Sequence, residues 1–106
     1  MRDIVVEVLY SDGCPHADEA RAAVREVLET LDLDDVEVRE VRVETLEEAE
    51  RLGFPGSPTV RVNGKDVYPS RTPGGSLACR RYAGAFGWQG WPPRDFIQES
   101  LEALID

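Results

Sequence analysis

The apolar pattern of the chain begins with a nearly continuous run, IVVEVLY at residues 4–10, which is typical of a buried strand. Turn-forming residues at 11–13 end this strand. Apolar residues then recur at helical spacing, and Pro15 suits the first helical position because no N–H is needed there. The pattern predicts a strand, the junction residue Cys14 and a helix of about four turns, with an apolar face of Ala17, Ala20, Val24, Val27, Leu28 and Leu31.

A second strand and a short second helix are predicted next. Residues 36–43 alternate, but the alternation slips by one residue near 39–40, which predicts either a bulge or burial on both faces. Thr45 and Glu48 have the spacing of a capping box, which marks the start of a helix. Gly53 follows the last apolar position of this helix and is expected to end it.

A hairpin and a closing helix complete the pattern. Residues 59–62 alternate as a strand, the Asn-Gly pair at 63–64 predicts a tight turn, and residues 67–68 are expected in the return strand. Residues 77–82 are expected to form an inserted turn or short helix. After the proline pair at 92–93, apolar residues again have helical spacing. The predicted order is β-α-β-α-β-β-α in a single domain of residues 1–106, with parallel strands at both β-α crossovers and an antiparallel edge.

Composition excludes several classes of function. The 106 residues carry 12 basic and 21 acidic side chains, a formal net charge of −9, which disfavours binding to nucleic acid. The chain has no apolar run long enough to cross a bilayer and no leader pattern before the first strand, so we expect no membrane contact and a cytoplasmic location. Two cysteines are too few for a zinc ribbon, and a reducing cytosol keeps them as thiols.

Two motifs, CPHA at residues 14–17 and GSPT at residues 56–59, resemble in order and position the redox motif and the cis-proline loop of the thioredoxin superfamily. CPHA is most similar to the Cys-Pro-His-Cys motif of bacterial disulfide oxidases, with Ala17 in place of the second cysteine. The resemblance implies a thioredoxin-like three-layer α/β sandwich with an inserted loop before the last helix. It also implies a catalytic Cys14 and a substrate groove at Ser57 and a cis Pro58. Alternatively, GSPT forms only a tight turn and has no role in binding.

Cys14 is the first candidate for catalysis. A thiol at a helix N-terminus meets free N–H groups and the positive end of the helix dipole, which stabilise a thiolate. A protonated His16 would add to this effect, whereas Asp12, Asp18 and Glu19 would oppose it. The alternatives are that Cys14 is a small buried apolar residue and that His16 is an exposed residue at the helix start.

Cys79 is the second candidate. Because Ala17 cannot attack a mixed disulfide, Cys14 is a monothiol within its motif, and the intermediate would be resolved either by an external thiol or by Cys79. A buried structural cysteine is the alternative for Cys79.

A basic segment surrounds Cys79. Residues 67–94, which we call the basic segment, contain four arginines and no acidic residue, whereas the rest of the chain holds eight basic and 21 acidic residues. Five aromatic residues are interleaved with the arginines. Arginine forks bind carboxylates, and aromatic faces bind flat groups, so Arg80 and Arg81 are candidates to bind a small anionic thiol, a disulfide or an acidic partner. Alternatively, these arginines pair with the acidic remainder.

Three functions fit these features. The leading hypothesis is a thiol–disulfide oxidoreductase without a cofactor, in which Cys14 is the nucleophile. The second is a soft-metal or organomercurial-lyase-like protein that uses Cys14, Cys79 and Asp18, because SPT and the later CRRY are similar to small bacterial proteins grouped with the alkylmercury lyases. The third is a thioredoxin-like binding module without catalysis.

Overall fold

A four-stranded sheet lies at the centre of the computed structural model, which describes residues 3–71 and 74–105. The strands are β1 (Val5–Ser11), β2 (Glu37–Val43), β3 (Thr59–Val62) and β4 (Lys65–Asp66), in the spatial order β2-β1-β3-β4. β1 and β2 are parallel, but β3 is antiparallel to β1 and β4. The predicted second parallel crossover is therefore wrong, because the chain enters β3 at the same end of the sheet where it leaves β2.

Three helices connect and follow these strands: α1 (Ala17–Thr30), α2 (Leu46–Leu52) and α3 (Arg94–Glu102). The helix start predicted at Pro15 is wrong. The first helical hydrogen bond runs from Ala20 N–H to the carbonyl of His16, and Cys14 N–H is instead used in a turn with the carbonyl of Ser11. The prediction for α2 is confirmed, since Thr45 caps Glu48 N–H at 3.1 Å and Gly53 ends the helix with a φ of 62°.

The helices cover both faces of the sheet. One apolar cluster joins β1 and β3 to α1 and α3, and a second joins β1 and β2 to α2. The architecture is therefore mixed α/β with a layer of helix on each side. The buried residues of the first cluster are Ile4, Val6, Val8, Ala20, Ala23, Val24, Val27, Leu33, Val60, Val62, Val67, Ile97 and Leu101, and those of the second are Leu9, Val43, Ala49 and Phe54.

β2 differs from its prediction. Its register with β1 is continuous from Glu37 to Val43, so it has no bulge, and Val38 is 47% exposed. Burial on both faces is also absent along this strand. Because β2 lies at the edge of the sheet, only its last residue, Val43, is fully covered.

The hairpin turn at residues 63–64 is confirmed, with φ values of 48° and 82°, but β4 ends before residues 67–68. Within the basic segment, residues 82–89 form a small hairpin that the sequence pattern did not predict: β5 (Tyr82–Gly84) pairs with β6 (Gly87–Gln89). Residues 77–81 form no helix, and Cys79 makes an isolated parallel bridge with Ser57. No helix within residues 3–71 and 74–105 is long and apolar enough to cross a membrane.

Candidate functional site

The loop before β3 contains a cis peptide bond between Ser57 and Pro58, as expected. Ser57 is buried, and its Oγ accepts a hydrogen bond from Ser11 N–H at 2.9 Å. Thr59 Oγ1 donates to the carbonyl of Gly56 at 2.7 Å, which closes the loop. The cis-proline loop is thus joined directly to the end of β1.

The segment at residues 76–80, which carries Cys79, runs beside this loop. Ser57 N–H donates to the carbonyl of Ala78, and Arg80 N–H donates to the carbonyl of Ser57, both at 2.9 Å. Ser11 Oγ donates to the carbonyl of Leu77 at 3.3 Å. Since Cys14 N–H donates to the carbonyl of Ser11 at 3.2 Å, the turn holding Cys14 and the segment holding Cys79 meet around Ser11 and Ser57.

The two thiols differ in accessibility. Both cysteines are free, with Cys14 half-buried and Cys79 exposed. Cys79 lines a cavity of about 390 Å³ together with His16, and Cys14 is not part of that lining. The remaining lining residues are Arg80, Arg81, Trp88, Gln89, Gly90 and Trp91.

His16 joins the start of α1 to the end of the basic segment. Its Nδ1 lies 3.2 Å from Glu19 Oε2, and its ring lies 5.5 Å from the ring of Trp91 between centroids. Gly90 passes so close that a Cβ there would lie 2.2 Å from His16 Cδ2. These contacts give His16 a packing role, besides any effect on a thiolate.

Arg80 is buried, with 9% exposure, and its guanidinium faces inward. Nη1 donates to Asp66 Oδ2 at 2.8 Å and to Thr59 Oγ1 at 3.1 Å, and Nη2 donates to the carbonyl of Tyr68. The guanidinium also lies 4.7 Å from the ring centroid of Tyr82. Because these contacts occupy its fork, the geometry favours a structural role for Arg80 over the expected role in substrate binding.

Tyr82 is a buried residue of the site that the sequence analysis missed. Its hydroxyl donates to the carbonyl of Pro58, so it supports the cis-proline loop from below. Burial raises the pKa of Tyr82 well above its ordinary value, and the phenol therefore stays protonated and able to donate. The sequence around Tyr82 has no signal for this role. The general tendency of buried tyrosine hydroxyls to form a hydrogen bond is the one indication that was available.

Arg81 faces solvent, in contrast to Arg80. Its guanidinium lies 5.7 Å from the ring centroid of Trp88, and it lines the same cavity as Cys79. The guanidinium of Arg81 is therefore accessible, and its role in binding a ligand stays a prediction.

The three residues of the soft-metal hypothesis are not gathered into one cluster. Asp18 is 93% exposed and accepts a hydrogen bond from Arg21 at 2.5 Å. Among residues 3–71 and 74–105, no group of three or more His, Cys, Asp or Glu side chains is arranged to hold a metal ion.

Comparisons with known proteins add no relative: no protein-family model matches the chain, and no curated protein matches it.

Proposed function

We propose that this chain is a thioredoxin-like thiol protein that exchanges disulfides through Cys14 and Cys79. Four features support the proposal: the order of strands and helices, the CPHA motif after β1, the cis Ser57-Pro58 bond before β3 and the strand order β2-β1-β3-β4. Cys14 has the position of the superfamily's reactive cysteine. Cys79 replaces the second cysteine of the motif as the thiol that attacks the mixed disulfide, because Ala17 has no thiol.

The observation that carries this proposal is the shared attachment of both cysteine segments. Ser11 accepts a hydrogen bond from Cys14 N–H and donates one to Ser57, while Ser57 bonds to the main chain on both sides of Cys79. These main-chain bonds hold the two segments at one end of the sheet. Because both segments are attached to this pair of serines, we propose that the thiol on one segment resolves a mixed disulfide on the other.

The chemistry is a pair of thiol–disulfide exchanges. One cysteine thiolate attacks a disulfide substrate, an S–S bond forms as the substrate S–S bond breaks, and one substrate thiolate leaves. The second cysteine then attacks this mixed disulfide and releases the other substrate thiol. The Cys14–Cys79 disulfide that results is returned to the dithiol by an external thiol such as glutathione.

Oxidation of the reduced protein by a small neutral disulfide, bis(hydroxyethyl) disulfide, tests this function. We expect a monomer that has lost two hydrogens and whose peptide map contains a Cys14–Cys79 link. Cys14→Ser and Cys79→Ser serve as matched controls, and each is expected to stop at a mixed disulfide. Oxidation that gives only mixed disulfides in the wild type, or only disulfide-linked dimers, would contradict the proposal.

A further inference from the structure

A second and larger cavity also has Cys79 in its lining. Its volume is about 740 Å³, and it is formed almost entirely by the basic segment. Its lining includes Cys79 and the three arginines Arg71, Arg80 and Arg81. The remaining lining residues are Pro55, Tyr68, Pro69, Ser70, Ser76, Trp88 and Phe96.

The charged side chains that line this cavity are all positive. Neither this lining nor that of the smaller cavity includes an Asp or Glu residue, although the chain has a net charge of −9. Arg80 is committed to Asp66 and Thr59, so Arg71 and Arg81 are the charged groups that a ligand meets. Within an acidic protein, such a surface attracts anions.

The walls also include flat apolar groups. Tyr68 and Phe96 pack together with ring centroids 4.8 Å apart, and Trp88 lies under Arg81. Aromatic faces beside arginine side chains suit a ligand that combines a carboxylate with a planar or apolar body. Cys79 lines both cavities, so its exposed thiol is next to whatever binds there.

We infer that the cavity bordered by Arg71, Arg81 and Trp88 binds a carboxylate-bearing disulfide and presents it to Cys79, which therefore forms the first mixed disulfide. This inference rests on the proposed disulfide exchange and reverses the order of attack that the CPHA motif suggests. The Cys79 thiol releases its proton to solvent, its sulfur bonds to one sulfur of the ligand, and the other ligand sulfur leaves as a thiolate. The half-buried Cys14 then resolves this intermediate.

The test uses two aromatic disulfide probes on the Cys14→Ser protein, so that only the first half-reaction at Cys79 is measured. Dithiobis(nitrobenzoate) carries carboxylates, and dithiodipyridine is neutral at pH 7. We expect Arg81→Gln to slow the reaction with the anionic probe by about threefold to tenfold, the loss typical of one charge-assisted hydrogen bond that is partly exposed. The rate with the neutral probe should fall by a smaller factor, because Arg81 also favours the Cys79 thiolate that both probes need, so the ratio of the two rates carries the result.

Three controls make this result specific. Arg25→Gln removes the same charge from an exposed position on α1 outside both cavities and should change neither rate, because distant exposed charges are screened. Arg81→Lys keeps the charge and should restore the preference for the anionic probe. Free nitrobenzoate, which has no sulfur, should protect Cys79 by occupying the cavity.

The inference is overturned if Arg81→Gln slows both probes equally, if Arg25→Gln has the same effect, or if nitrobenzoate gives no protection. Because Cys14 is absent from this assay, these outcomes are independent of whether a Cys14–Cys79 disulfide forms. Failure of the inference and failure of the proposed function are thus distinguished.

Discussion

Cys14 and Cys79 belong to two regions that differ in charge and in packing. Cys14 is half-buried in the turn before α1, and its sequence neighbours Asp12 and Asp18 are exposed carboxylates that each pair with an arginine. Cys79 is exposed in the basic segment, beside Arg81 and with no carboxylate in the lining of its cavities. The comparison teaches that the end of β1 fixes the position of Cys14, whereas the basic segment holds Cys79 and surrounds it with arginine and aromatic side chains.

The largest expected effect comes from the attachment between these regions. Arg80→Met removes the guanidinium that joins the basic segment to Asp66 and Thr59, and leaves the largely buried Asp66 carboxylate without its partner. We expect a loss of about 3–5 kcal/mol in the free energy of unfolding, as for other buried ion pairs from which one member is removed. Urea unfolding followed by circular dichroism measures it.

Arg81→Met is the matched control for this change. It alters the neighbouring arginine, which is exposed, and should cost about 0.5 kcal/mol or less. Equal costs for the two variants would show that Arg80 does not anchor the basic segment.

Tyr82→Phe is expected to have the second largest effect. It leaves the buried carbonyl of Pro58 without its hydrogen-bond donor, at a cost of about 1–3 kcal/mol. Tyr10→Phe, at a half-buried position on β1, is the control and should be nearly neutral. A neutral Tyr82→Phe would remove the support we assign to Tyr82 under the cis-proline loop.

The same variant gives a pH-dependent prediction. Burial raises the pKa of folded Tyr82 above the value of about 10 for an unfolded tyrosine. The unfolded chain therefore loses this proton first as the pH rises, and wild-type stability falls above about pH 10. In Tyr82→Phe this contribution is missing, so the stability difference between the proteins should narrow as the pH rises from 9 to 11. A constant difference would contradict this interpretation.

Gly90→Ala tests the contact between the start of α1 and the basic segment. Its Cβ would overlap the His16 ring, which must move away from Trp91. We expect a cost of about 1 kcal/mol, at the low end for overpacking because His16 is partly exposed and has room to move. Shifts of the His16 ring resonances in NMR spectra report the displacement.

The double variant His16→Ala/Gly90→Ala separates this cause from a backbone effect. Without the ring there is no overlap, so Gly90→Ala should be neutral in the His16→Ala background. An undiminished cost would mean that the backbone of Gly90, and not its approach to His16, decides the result.

The smallest expected effect comes from the difference in the charged groups around the two thiols. The ratio of the alkylation rates with iodoacetate and iodoacetamide should be about twofold to threefold higher at Cys79 than at Cys14 at low salt. Arginines and no carboxylates line the cavities at Cys79, whereas the carboxylates that neighbour Cys14 in the sequence are paired with arginines. Mass spectrometry of each cysteine peptide measures the ratio. The difference should disappear in molar salt, and a ratio higher at Cys14 would reverse the comparison.

Local signals explain why much of the α/β frame could be predicted. The apolar run of β1, the capping box at Thr45 and the Asn-Gly turn after β3 each act within a few residues, and the structure has all three features. The direction of β3 could not be predicted, because it depends on the end of the sheet at which the chain leaves β2.

The basic segment was harder to predict, because its contacts join residues far apart in the chain. Arg80 has the sequence pattern of an exposed residue, and its burial depends on Asp66 and Tyr68 folding beneath it. The three-residue strands β5 and β6 are too short to show an alternating pattern. The bridge between Ser57 and Cys79 likewise could not be predicted, because no local pattern around either residue indicates it.

The attachment of the basic segment by main-chain hydrogen bonds at residues 76–80 has an evolutionary consequence. Main-chain hydrogen bonds do not depend on the identity of the side chains. Exposed side chains of the basic segment can therefore be substituted while residues 76–80 keep their position. If the proposed binding role holds, substitutions at exposed positions of the basic segment such as Arg71, Arg81 or Trp88 would alter ligand preference without altering the core around β1. We expect related lineages to diverge at these positions first, and to retain Arg80 and Tyr82.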